Sequence, residues 1–185
     1  MRETRIAIRY AKALFDFALE QNILEQIKTD MELVVSVFKQ NRNLRIVLQS
    51  PIINEKKKVA IIKAIFENKL REMSLHFLII IIRKRREANI LAIAEQFIIL
   101  YKDYKKITTT FLQTVVKIDD NIKKRVIELM KHQTEGEIEL IEEIKKELIG
   151  GFVLNFKDKQ YDASILKQIE DLKKEFDINL YVRGL

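Results

Sequence analysis

Apolar side chains recur at three- and four-residue intervals through the first 105 positions and alternate with polar ones in much of the remainder. The first pattern predicts helices and the second predicts strands. Residues 4–20 predict a helix with Thr4 as N-cap. Ile6, Tyr10, Leu14 and Phe17 form one stripe of it; Ala7, Ala11, Phe15 and Ala18 form a neighbouring one. That arc is wider than one core contact requires. It is either buried on two sides within its own bundle or left partly open to a partner helix. Residues 22–40 predict a second helix through Ile23, Ile27, Met31 and Phe38, and 44–48 a short further turn. Ser50-Pro51 ends that turn, because the residue before proline is pushed out of the α region.

Asn54 caps a predicted helix to residue 68, with Val59, Ile62, Ile65 and Phe66 inward. Lys56, Lys57 and Lys58 in its first turn oppose the helix dipole and read as a solvated face, with an acidic partner as the alternative. Residues 72–84 are apolar nearly all round, so this helix is central in the bundle or lines a partner groove. His76 at its start reads as a satisfied structural histidine. The basic run at 83–86 complements the helix C-terminus; the alternative is phosphate binding, which the lack of an interleaved aromatic or nearby glycine weakens for nucleic acid. A helix at 89–104 brings the first part to six helical segments, an α-bundle over residues 1–105.

Residues 106–185 predict a smaller strand and helix domain. Residues 107–116 are rich in β-branched side chains and predict a strand. Asp119 caps a helix to about 132, and Ile138 and Leu140 alternate with Glu137 and Glu139 in a second strand. Gly150 and Gly151 precede a third at 152–156, where adjacent glycines let two strands meet closely. A turn follows at 157–159. Asp162 and Ser164 then start a final amphipathic helix through Ile165, Ile169, Leu172 and Phe176 that covers the strands. The tail from 178 predicts a short strand or a frayed end. The fold class is therefore mostly α with a small α+β part.

Charge strengthens the division into two domains. Residues 1–106 carry 21 Lys and Arg against 12 Asp and Glu, whereas residues 107–185 carry 13 against 15. A basic first domain suits nucleic acid, anionic lipid or an acidic protein surface. The absence of cysteine removes thiolate chemistry, and the two histidines, His76 and His132, have no metal-ligand spacing. No phosphate-loop, dinucleotide, nucleophile-elbow or zincin motif occurs. The expectation is no catalytic, cofactor-binding or metal-binding residue. The first ten residues lack a signal-like apolar region, and the longest apolar run, 77–82, is too short to span a bilayer. The chain is expected to be soluble or to reach a membrane through a partner.

RYAKALFDFALEQN at 9–22 and LIGGFVLNFKDKQYDAS at 148–164 together resemble the delta-subunit family of F-type ATP synthases. The mitochondrial branch of that family is the oligomycin-sensitivity-conferring protein. Between them, SPIINEKKKVAIIKAIF at 50–66 and HFLIIIIRKRRE at 76–87 look like the family's middle portion. The resemblance implies a non-catalytic peripheral-stalk subunit on the cytoplasmic face of the bacterial inner membrane. It joins the alpha/beta catalytic head to the b-subunit stalk and resists rotor torque during proton-driven ATP synthesis. By that resemblance the first domain binds the N-terminal helices of alpha subunits. Its groove falls on Tyr10, Ala13, Leu14 and Phe17 facing Phe77, Leu78 and Ile81. The second domain, with Gly150, Gly151, Asp162 and Ser164 as structural signature, meets the C-terminal coiled coil of the b subunits; neither nucleic acid nor direct membrane insertion is implied. The chain departs from the family where Asp-Pro is replaced by Lys145-Lys146 and a hairpin glycine by Lys157. The alternative, from the basic first domain, is a helical RNA-binding or regulatory adaptor protein.

Overall fold

The computed structural model describes residues 2–116, 118, 119, 123, 126–128, 136–156 and 159–178. The chain is mostly helical, with a four-stranded sheet confined to its C-terminal part. Two compact units divide it, Met1–Tyr104 and Lys105–Leu185.

The first unit contains α1 (Arg2–Glu20), α2 (Leu24–Gln40), α3 (Arg42–Gln49), α4 (Glu55–Phe66), α5 (Glu72–Arg83) and α6 (Ile90–Tyr104). A 3-10 turn, Glu87–Asn89, precedes α6. α1 lies against α6, α2 against α6, and α4 against α5. The alanine stripe of α1, Ala7, Ala11 and Ala18 with Phe15 and Leu14, is the buried one. The Phe15 ring centroid sits 5.9 Å from that of Phe97 and 5.6 Å from that of Tyr104, the latter edge-on. Such aromatic pairs add about 1 kcal/mol to the area they bury. Phe38 stacks on Phe66 with ring centroids 6.4 Å apart, tying α2 to α4.

Several expectations change. α1 begins at Arg2, so Thr4 lies in its first turn and is not the N-cap. Asn54 is a true cap, its Oδ1 accepting from the Lys56 backbone N–H at 3.1 Å. Lys58, read as part of a solvated basic turn, is buried and pairs with Glu87. Helical rotation turns it away from the exposed Lys56 and Lys57, toward the 3-10 turn. His76 is exposed on α5 and not a buried structural histidine. Arg71, at the N-cap position of α5, makes no side-chain cap, and Asp30 of α2 supplies one instead. Asp30 Oδ2 accepts from the Arg71 backbone N–H at 3.2 Å and from the Ser74 hydroxyl at 2.5 Å.

The second unit contains β1 (Thr108–Thr114), β2 (Ile138–Ile144), β3 (Phe152–Phe156), β4 (Lys159–Asp162) and α7 (Ile165–Ile178). Strand order is β2-β1-β3-β4. β1 and β2 are parallel, while β1–β3 and β3–β4 are antiparallel. A parallel pair needs a crossover between its strands. Residues 123 and 126–128 of that crossover are helical, and residues 120–122, 124, 125 and 129–132 of the helix expected after Asp119 lie outside the described residues. One face of the sheet buries Leu112, Leu154 and Phe156, with Val126, Ile138 and Phe152 packed around them. β4 is a strand that hydrophobic alternation misses, because all four of its side chains are exposed on a sheet edge. Residues 157 and 158 of the expected turn, and the tail 179–185, also lie outside the described residues.

The glycine pair does not serve the contact expected of it. A Cβ on Gly151, at φ +75°, would fall 2.2 Å from the Ala163 carbonyl oxygen; one on Gly150 would meet Ile165 Cδ1 at 2.4 Å. The close approach is therefore to the turn between β4 and α7, not between two strands. Hydrogen bonds hold it there: Ala163 N–H to Phe152 O at 2.9 Å and Ile165 N–H to Gly150 O at 3.0 Å. Asp162 Oδ1 accepts from Ser164 N–H at 2.9 Å, and Ser164 Oγ accepts from Lys167 N–H at 3.2 Å as the cap of α7.

Two stability outcomes follow from these contacts. Glu87→Ala strands the buried Lys58 amine and lowers the unfolding free energy by about 3 kcal/mol, read by urea titration. Gly151→Ala costs about 2 kcal/mol through left-handed backbone strain and a backbone clash, whereas Gly150→Ala costs less because a flexible side-chain tip can move aside. Equal losses for the two glycine variants would contradict this reading of the turn.

Candidate partner-binding surfaces

Among the described residues no group of three His, Cys, Asp or Glu side chains is arranged to hold a metal ion. No described helix is long and apolar enough to cross a membrane. The conspicuous features are apolar helix faces that stay exposed among the described residues.

On α1, Leu14 is buried, Tyr10 and Phe17 are half-buried, and Ala13 is exposed. With half-buried Ile6 they form a stripe running beside the alanine face. The Arg9 guanidinium lies 5.8 Å from the Tyr10 ring centroid, a cation over an aromatic face that keeps the ring near the surface. On α5, Leu78 and Ile81 are core residues at 1% and 0% exposure, and Phe77 is half-buried. The outward stripe of α5 is Met73, Phe77 and Ile80, the first and last 42% and 46% exposed. α1 and α5 each pack on α2 without packing closely on each other. Of the seven residues expected in a groove, Tyr10, Ala13, Phe17 and Phe77 thus have surface to offer in the free chain. Leu14, Leu78 and Ile81 instead support them from beneath. Met73 and Ile80, exposed beside Phe77, were not among the seven. Their spacing with Phe77, at four and three residues, was available in the sequence, but isoleucine at 79 to 82 hid which side faced out.

The second unit carries a comparable surface. Ile165, Ile169 and Leu172 of α7 lie on one side of the helix and are 42%, 38% and 53% exposed. The expectation that this helix covers the strands is therefore corrected: its apolar stripe is open. Phe111 and Ile141, outward-facing on β1 and β2, are exposed as well. An apolar pocket of about 440 Å³, lined by Leu112, Val116, Ile118, Val126, Ile149 and Phe152, adds to this. On the polar side of α7, Lys167 Nζ and Asp171 Oδ1 are 3.0 Å apart. Their hydrogen bond holds the lysine above its usual pKa and the aspartate below its own. Charged groups so placed leave the stripe itself free of charge.

These surfaces can be set beside those of known proteins. A sequence model of the ATP synthase delta (OSCP) subunit matches residues 6–176. The ATP synthase subunit delta of Cytophaga hutchinsonii is 35% identical over 176 residues, covering 95% of this chain and 96% of that protein. The subunit delta of Christiangramia forsetii is 31% identical, with 98% of each chain covered. A chain of the cryo-EM structure of the Toxoplasma gondii mitochondrial ATP synthase hexamer superposes with a TM-score of 0.69 at 20% identity. That alignment covers 92% of this chain and 96% of that chain, and speaks for the fold. The match extends over both units, and the chain belongs to the ATP synthase delta (OSCP) subunit family.

Proposed function

We propose that the chain is a structural, non-catalytic subunit of the peripheral stalk of an F-type ATP synthase. In this reading the six helices of residues 1–105 form one bundle that sits on the alpha/beta catalytic head. Residues 106–185 form a second domain that meets the C-terminal coiled coil of the b subunits. A joint of this kind must hold two partners at once, so that torque on the head is passed to the stalk and the head does not turn with the rotor. The observation that carries the reading is the open apolar stripe on each unit: Tyr10, Ala13 and Phe17 with Met73, Phe77 and Ile80 in the first, and Ile165, Ile169 and Leu172 in the second.

Amphipathic helices dock through side chains at such three- and four-residue spacing. The first stripe pair is assigned to the N-terminal helix of an alpha subunit, with Leu14, Leu78 and Ile81 as its rigid floor. The α7 stripe is assigned to the b subunits. Attachment to the membrane is then indirect, at the cytoplasmic face of a bacterial inner membrane, through the assembled complex. The relatives found give no support to the RNA-binding or regulatory alternative.

Calorimetric titration of the full chain with a peptide copying the alpha-subunit N-terminus tests the first assignment. Micromolar or tighter binding is expected, weakened about tenfold or more by Ile80→Asp with an unchanged thermal midpoint, about 1.4 kcal/mol. Undiminished binding by that variant would remove the groove. For the second assignment, a b-subunit fragment should raise the unfolding midpoint of the wild-type chain and fail to raise that of Leu172→Asp. A fragment that stabilises both equally binds elsewhere.

A further inference from the structure

The surplus positive charge of the first unit is concentrated in one place. Residues 42–58 and 83–87 hold nine Lys and Arg against two acids, while the remainder of 1–106 holds 12 against 10. The fold joins these two stretches. α3 packs on the 3-10 turn at Glu87–Asn89. A cavity of about 540 Å³ is walled by Pro51, Ile53 and Asn54 from one stretch and Arg85 and Glu87 from the other. Lys58 is neutralised by its buried pair with Glu87. Lys56, Lys57 and the four cations at 83–86 are exposed and have no ion-pair partner among the described residues. Beside them Ile52 is 92% exposed.

Unpaired like charges held together repel one another, and the arrangement is relieved when an anion binds. The surroundings select among anions. Neither stretch contains an aromatic residue or a glycine, so bases have no stacking platform and a phosphate backbone has no close approach. A lipid surface is broad and flat, whereas this site is concave and half apolar, with Pro51, Ile53 and Ile82 lining it. A short peptide with carboxylates flanking an apolar side chain matches both properties.

We infer that the surface formed by the α3–α4 loop, the first turn of α4 and the turn after α5 docks an acidic, partly apolar peptide segment of a protein partner. Its carboxylates meet Lys56, Lys57 and Arg85, and its apolar side chain enters beside Ile52 and Ile53. This site uses none of the residues assigned to the alpha-subunit helix, and so stands independently of that assignment.

Fluorescence anisotropy on the full chain with a fluorescein-labelled peptide of repeated Glu-Glu-Leu units provides the test. Saturable binding that weakens with added salt is expected. The Lys56→Glu, Lys57→Glu, Arg85→Glu variant should lose at least about tenfold in affinity. Its thermal midpoint and its binding of the alpha-subunit peptide should stay unchanged. No binding at low salt, or equal binding by wild type and variant, overturns the proposal. Tighter binding of single-stranded RNA or of phosphatidylserine vesicles than of the peptide overturns it as well.

Discussion

The close approach of α1 to α6 sets the arrangement of the first unit. Ala7, Ala11 and Ala18 are fully buried, and their small side chains let the two backbones lie near each other. Phe15 then reaches Phe97 and Tyr104 across the seam. Had the larger side chains of α1 formed this contact, Tyr10 and Phe17 would be in the core. Because alanine takes it, the bulky stripe is displaced to the rim and stays half-covered. One packing choice both closes the core and leaves a surface that another helix can fill.

Two buried polar joins complete the bundle. Asp30 binds the start of α5 from α2, and Lys58 binds the 3-10 turn from α4. Each ties an element boundary to a distant helix, which directional groups do and apolar burial does not. Breaking either leaves a buried group unsatisfied, so they specify where α5 begins and how the chain turns into α6. The unpaired cations at 83–86 lie immediately before that turn. The ion pair beneath them therefore gives an otherwise repulsive surface patch a firm base.

The second unit is built with less. Its central strand presents mostly threonine inward, and the buried cluster is Leu112, Leu154 and Phe156 with neighbours only partly covered. A small domain with a thin core gains stability from whatever covers its apolar surface. The open stripe of α7 supplies such a surface, held in place by the Gly150–Gly151 turn and the Ser164 cap.

The six helices of the first unit, strands β1 to β3, the Asn54 and Ser164 caps, the change of pattern near residue 105 and the family itself were legible in the residues, because each rests on local spacing or a contiguous motif. The outward side of α5 was not: a run of isoleucines has no polar face, so only packing against α2 and α4 separates Ile80 from Leu78 and Ile81. The burial of Lys58 escaped for a related reason, since its partner lies 29 residues away and charge alone argues for solvent. β4 has no inward side chain and exists through its pairing with β3. The exposure of α7 was hidden by its own amphipathic pattern, which states that one side is apolar but not what it will meet. Local spacing thus settled what the elements are, and long-range contacts decided which of their faces are spent on the core and which remain for partners.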